Sequence, residues 1–516
     1  MRIRAKLIYA APLLAFATLS GDAQSDTLQK IQFPNGFKWC VSTAAYQVEG
    51  GNTNSDWSDW EEVPGHIRHG DRSGDADDHW NRLEEDTQLI KNIHANAERF
   101  SVEWSKIEPS EGVYDQAAID HYRREIALLD ANGIEPIITL SHFTFPKWVA
   151  EKGGWEWAGL PPSFAKFTEV VYTQIAPNVK TFITINEPTV LILAAYVAGI
   201  YPPGKTGLNS VFTPMVGMLK SHAAAYTTLH QLAAKTGKSV RVGLAHHLRI
   251  FDPARAWSPF DIFAAHVFED LFDWVFVDAV ETGRLHLKIP FIANRDMVIE
   301  GLAHTEDFIG VNYYSRDIVR FTIKNGFKNV IQREVKRNAE VSDLGWEIYP
   351  EGMYRILMSV KNRYPGKSVL ITENGIADAK DTKRGKFILD HLQAVEDAMK
   401  AGVNVEGYCH WSLMDNFEWD EGFTPRFGLY EVDYATQKRT PRPSASIFSR
   451  LATDNQFEWA GDSYRDHRKP RKATSEAIVP APRTPHENVD EVEWIDDVSQ
   501  NPDLKCSGEE CAKGLH

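Results

Sequence analysis

Eight short apolar runs, each followed by an amphipathic stretch, constrain this chain more than any other feature. The runs are Lys38–Thr43, Ala97–Glu103, Glu135–Leu140, Thr181–Ile185, Val240–Ala245, Phe308–Val311, Ser368–Ile371 and Val405–Trp411. Turn residues or a polar tip bound each one, as they bound strands. Between them, His79–His94, Ala117–Ala131, Pro162–Ile175, Pro214–Ala234, Pro350–Arg363 and Thr382–Ala401 carry apolar residues at helical spacing. Strand and helix alternating to this count predict an α/β fold, a single (β/α)8 TIM barrel with long βα loops. A doubly wound sheet fits less well. Val48-Glu49-Gly50-Gly51, after the first run, offers no dinucleotide loop.

The remainder of the 516 residues lies at the two ends. Arg2, Arg4 and Lys6 precede the uncharged run Leu7–Leu19, and small residues at Gly21 and Ala23 suit a cut after Ala23. That pattern predicts a signal peptide over 1–23 and an exported protein, periplasmic or secreted. The expected catalytic domain is 24–453. The segment 454–516 reads as a tail, disordered in part or draped on the surface: Glu487–Glu510 holds nine acids against Lys505 alone. That segment alone supplies −8 of the net charge of −15, and the acidic balance says little about substrate. No basic face points to nucleic acid, and no apolar run is long enough to span a bilayer. Cys506 and Cys511 frame a short acidic loop where a local disulfide is plausible. Cys40 and Cys409, within apolar strand patterns, read as small buried hydrophobes.

Polar residues gather where the strands end. Tyr46-Gln47 follow the first strand, and Arg99 and Glu103-Trp104 belong to the second. His142 follows the third, Asn186-Glu187-Pro188 the fourth, Asn312-Tyr313-Tyr314 the sixth and Glu373-Asn374-Gly375 the seventh. Trp411 ends the eighth, with Glu418-Trp419 just beyond. A barrel sets all these C-terminal ends on one rim, where its active site lies. Ionised glutamate at the end of a buried strand is costly unless paired or put to use. Glu187 and Glu373, on strands four and seven and expected roughly opposite in the ring, therefore read as a working pair.

Two carboxyls facing a gap are what glycoside cleavage requires. At about 5–5.5 Å separation one attacks the anomeric carbon and configuration is retained. Glu187 is assigned as acid/base, its pKa raised by the nearby charge of Glu373, and Glu373 as nucleophile. Arg99 is expected to hold Glu373 ionised and aimed. Gln47, His142, Asn186 and Glu418 supply directional hydrogen bonds to sugar hydroxyls, and Trp411 and Trp419 supply flat apolar walls. No clustered His/Asp set suggests a metal, and no cofactor is expected.

These segments also resemble glycoside hydrolase family 1, the β-glucosidase family. Thr184-Ile185-Asn186-Glu187-Pro188 resembles its acid/base motif and Ile371-Thr372-Glu373-Asn374-Gly375 its nucleophile motif. Ala44–Gly50, Arg99–Ser105, Asn312–Tyr314, Gly345–Gly352, Trp411–Trp419 and Arg426–Leu429 match further landmarks in order. The resemblance covers about Phe33 to Leu451. It implies a retaining exo-β-glycosidase acting on terminal β-D-glucosyl residues, with galactosyl or fucosyl residues as further substrates. The partners would be small β-glycosides or oligosaccharides. It also implies that Gln47, His142, Asn186, Trp411, Glu418 and Trp419 line the sugar subsite. Tyr314 would touch Glu373 with Asn312 nearby, and Trp346 would wall the aglycone site. One departure stands out: the family's usual His-Trp-Asp is here His142-Phe143-Thr144. Phe143 cannot donate an indole N–H, so weaker discrimination at one sugar hydroxyl is expected. Transglycosylation through the same site is the alternative. A dead, sugar-binding protein would need a damaged carboxylate pair, and both carboxylates are present.

Overall fold

The computed structural model describes residues 29–290, 293–323, 331–459 and 479–480. The expected signal peptide, most of the tail and the Cys506/Cys511 pair lie outside these residues. Eight parallel strands close into a barrel: β1 (Lys38–Ser42), β2 (Ala97–Ser101), β3 (Glu135–Ser141), β4 (Thr181–Asn186), β5 (Arg241–His247), β6 (Phe308–Asn312), β7 (Ser368–Asn374) and β8 (Asn404–Trp411). Each is one of the eight apolar runs. Each pairs with its neighbour in sequence, and β8 closes on β1. A return helix follows every strand. The expected ones are Leu83–Asn92, Gln116–Ala131, Leu160–Val170, Phe212–Lys235, Pro350–Arg363 and Arg384–Lys400, and Val275–Thr282 and Pro443–Asp454 complete the ring.

Local chemistry explains several helix ends. The Asp115 carboxylate accepts from the amides of Ala117 and Ala118, capping Gln116–Ala131. Proline at the first turn opens Pro350–Arg363 and Pro443–Asp454, where its missing N–H costs nothing. Gly283 at φ 73° and Asn455 at φ 53° end their helices in the left-handed conformation that these two residue types tolerate best.

One residue from each strand packs into a layer inside the barrel: Cys40, Ala97, Ile137, Ile183, Ala245, Phe308, Leu370 and Cys409, all fully buried or nearly so. This layer is the floor of the site. Side chains an even number of residues apart along a strand share the same face, so Arg99 and Trp411 stand two residues above Ala97 and Cys409, and Asn312 four above Phe308. His410 turns outward against Phe448.

The layer corrects one expectation. Cys40 and Cys409 are register partners on the adjacent strands β1 and β8, and they form a disulfide rather than two free buried thiols. Their separation of 369 residues hid the pairing, which only barrel closure brings about. The ordered fold also runs past 453. The last helix reaches Asp454, and Gln456–Trp459 pairs antiparallel with Gln29–Gln32.

A second feature has no counterpart in the sequence reading. Above the rim, Ile250–Pro253, Arg316–Phe321 and Ile331–Val335 form a sheet with the short strand Val479–Pro480 on its edge. Among the described residues no helix is long and apolar enough to cross a membrane. With Cys506 and Cys511 both replaced by serine, the unfolded, unreduced protein should titrate no thiol with a thiol reagent. Two reactive thiols per chain would refute the Cys40–Cys409 bond.

Candidate active site

The strand ends of the barrel line one cavity of about 310 Å³. Gln47, His142, Asn186, Glu187, Tyr314, Trp346, Glu373, Trp411, Glu418 and Trp419 all reach it. Arg99 and Asn312 lie beneath and bind its carboxylates. Sequence reasoning therefore collected the residues that the fold brings together.

Both carboxylates owe their position to an irregularity. Between β6 and β7 the register slips, so that Val311 faces Ile371 but Asn312 faces Glu373. Between β4 and β5, Ile183 faces Gly243 but Asn186 faces Ala245. An extra residue in a strand re-aims the side chains that follow it. Glu187 itself sits at φ 42°, and Phe143 and Trp419 at φ 73° and 55°. Left-handed backbone costs a non-glycine residue of the order of 1–2 kcal/mol, so the surrounding packing holds these three in place. β4 and β7 are separated by β5 and β6 on one side, and Asn312 of β6 spans the gap.

The contacts form one continuous network. Arg99 donates from Nη1 to Glu373 Oε1 and from Nη2 to Asn186 Oδ1 at 2.6 Å. Tyr314 donates its hydroxyl to Glu373 Oε2 at 2.6 Å. Asn312 Nδ2 donates to Glu187 Oε1 at 2.9 Å, and Asn312 Oδ1 accepts from Thr372 at 2.6 Å. His247 Nδ1 lies 3.1 Å from the same Glu187 oxygen. Sequence reasoning gave His247 no place in the site. Its role as partner of Glu187 depends on which of two adjacent histidines turns inward, and strand alternation alone does not say.

On the other side, Gln47 Nε2 donates to Asn416 Oδ1 and to the Phe417 carbonyl, both at 2.8 Å, and Trp411 Nε1 donates to Glu418 Oε1 at 3.1 Å. Asn186 Nδ2 donates to His142 Nε2 at 3.1 Å. Trp419 stacks on Tyr46 at 5.9 Å, and Phe143 packs edge-on against Trp419 at 5.2 Å. Trp346 forms the opposite wall, edge-on to Tyr314 at 5.8 Å. Arg249, Arg316, Asp317 and Arg333, largely from the sheet above the rim, shape the mouth.

Electrostatics divides the pair. Burial pushes Glu373 up to about 7; Arg99 and Tyr314 oppose the rise, and the charge of Glu187 adds to it. Burial also acts to raise Glu187, but His247, Asn312 and Arg99 outweigh it and hold the group below its ordinary value. The expectation of a raised Glu187 considered the charge of Glu373 alone; the contacts with His247, Asn312 and Arg99 turn the direction downward. Burial pushes Glu418 up to about 8, with Trp411 opposing. Burial, then Arg99, hold His142 well below the usual imidazole range, so it is neutral.

Several buried polar atoms have no hydrogen-bond partner: Gln47 Oε1, His142 Nδ1 and His247 Nε2. Such atoms are costly to leave unpaired. Together with the indole walls they suit a flat, many-hydroxyl ligand. A nucleophilic carboxylate held by an arginine and a tyrosine, with a second carboxyl beside it, can perform displacement at a saturated, oxygen-bearing carbon.

Residues 29–457 match the sequence profile of glycosyl hydrolase family 1. The chain is 34% identical over 446 residues to a 1,4-beta-D-glucan glucohydrolase of Thermotoga neapolitana, covering 82% of this chain and 99% of the relative. It is 29% identical to a beta-galactosidase of Pyrococcus woesei, over 82% and 97% of the two chains. The family 1 β-glucosidase structure from Thermotoga maritima superposes with a TM-score of 0.77 at 31% identity, covering 84% of this chain and all of that one.

With carboxyl-¹³C glutamate, infrared titration of the ligand-free protein should show a protonated carboxyl lost near pH 7 that is missing from Glu373→Gln. Identical titrations of the two proteins would contradict the division described here.

Proposed function

From membership of glycosyl hydrolase family 1, to which this chain belongs, we propose how its site performs the retaining hydrolysis of β-glucosides. The observation that carries the reading is the shared network in which Arg99 and Tyr314 hold Glu373 while Asn312 and His247 hold Glu187. Glu373 is the nucleophile. Its carboxylate attacks the anomeric carbon, the glycosidic C–O bond breaks, and the electron pair goes to the leaving oxygen. That oxygen takes the proton of Glu187, and the sugar remains as an ester on Glu373. Esterification removes the negative charge of Glu373. Glu187, relieved of that repulsion, is the better carboxylate, takes a proton from water, and the water oxygen displaces Glu373.

The pair needs one proton, and the active form has it on Glu187. The two carboxyls share that proton and titrate as a unit. Gln47, His142, Asn186, Glu418, Trp411 and Trp419 bind the sugar, and Trp346 walls the leaving group. An added acceptor alcohol would intercept the same ester, so transfer competes with hydrolysis.

The export reading rests on the Arg2–Ala23 pattern. A disulfide inside the barrel supports it, since such bonds persist in oxidising compartments; the thiol titration above bears on both.

Proton NMR of an aryl β-glucoside digest should show β-glucose released first, and Glu373→Ala should lose at least about a thousandfold in kcat. Release of α-glucose, or full activity in the variant, overturns the mechanism. Phe143→Trp should shift the relative rates on aryl glucoside, galactoside and fucoside; unchanged ratios would remove Phe143 from the specificity of the site.

A further inference from the structure

Beside the active site lies a second cavity of about 290 Å³ with a different character. Its wall is built from the helix after Glu187, the long helix Phe212–Lys235, the helix Pro259–Glu269 and the turns that follow it. Met215, Val267, Leu271 and Phe276 are typical of it, and among the described residues Thr189 is its single polar one. Leu193 and Phe272 line both this cavity and the active-site cavity. The two spaces therefore adjoin across two half-buried apolar side chains.

The direction of that adjacency is chemically defined. Phe272 packs edge-on against His247 at 5.4 Å, and His247 contacts Glu187. The leaving group must stand on the side of the residue that protonates it. The apolar cavity thus opens on the aglycone side, away from Gln47, Glu418 and the sugar-facing indoles. Two exposed rings stand at its edge: Phe263 belongs to its wall and is 53% exposed, and Phe260, 62% exposed, stacks on Phe321 of the same wall. Clustered exposed rings of this kind mark binding surfaces more often than ordinary surface.

We propose that this cavity receives the apolar aglycone of the substrate, a long alkyl, acyl or isoprenoid chain that passes between Leu193 and Phe272. The proposal rests on the glycosidase reading above and names its substrate class: glycosides of lipid-like alcohols. The bound chain gains by leaving water, in ground and transition state alike, so the effect belongs in KM rather than kcat.

The test uses the full chain and a series of n-alkyl β-D-glucosides, methyl to decyl, each below its micelle concentration. KM should fall about twofold to fourfold per added methylene beyond butyl, with kcat nearly constant. Val267→Trp fills the cavity and Val267→Asp charges it. Both should flatten the series while leaving kcat/KM for methyl β-glucoside within about twofold of the parent. A flat series in the parent protein overturns the proposal, as does a slope that survives both variants, which would place the chain along Trp346 instead. Cleavage of aryl glucosides with a flat alkyl series defeats this inference alone. Failure to cleave any β-glucoside defeats the reading beneath it.

Discussion

The active site is organised around one fully buried guanidinium. Arg99 rises from β2 inside the barrel, above the apolar floor layer, with no exposure to solvent. A charge there is tolerable only when its donors are all engaged. Arg99 meets that demand with Glu373, Asn186, the Thr372 carbonyl and the Thr139 hydroxyl. Three other strands, β3, β4 and β7, are tied to β2 in this way. The arginine that lowers the cost of an ionised Glu373 also sets the angle of Asn186, which precedes Glu187. Removing it would strand a buried carboxylate and loosen both halves of the site.

Around that centre the protein divides its labour by polarity. The sugar side is made of paired amides, a neutral imidazole and two indoles, of which Trp419 is held in a left-handed backbone conformation. The leaving-group side begins at His247 and Phe272 and grades into an apolar cavity. The mouth between them is edged by arginines that answer to Asp317, Asp252 and Glu347. Binding energy on these three sides is separable, because each uses a different kind of contact.

Much of this was legible before any coordinates. Barrel strands are buried on both faces and read as unbroken apolar runs, so all eight stood out, and the polar residues at their ends collected the site. What escaped has physical reasons. Ile250–Pro253, Arg316–Phe321 and Ile331–Val335 are half-exposed strands with paired charges, which carry little apolar pattern. The register slips that aim Glu187 and Glu373 arise from pairing with a neighbour and leave no mark on either strand alone. Composition set Cys40 among the hydrophobes, since nothing local links it to a residue 369 positions away. His247 stood beside His246, and only the fold distinguishes the one facing Glu187 from the one paired with Glu306.

The bond between Cys40 and Cys409 makes the barrel a covalent ring. The seven rim loops that follow β1 to β7 lie within the circuit it closes. A single cut in any of those loops opens the chain yet leaves both pieces joined at the seam between β1 and β8. The long segments that shape the mouth are thus exposed to hydrolysis without the molecule depending on their continuity, a useful property for an enzyme whose specificity is written in its loops.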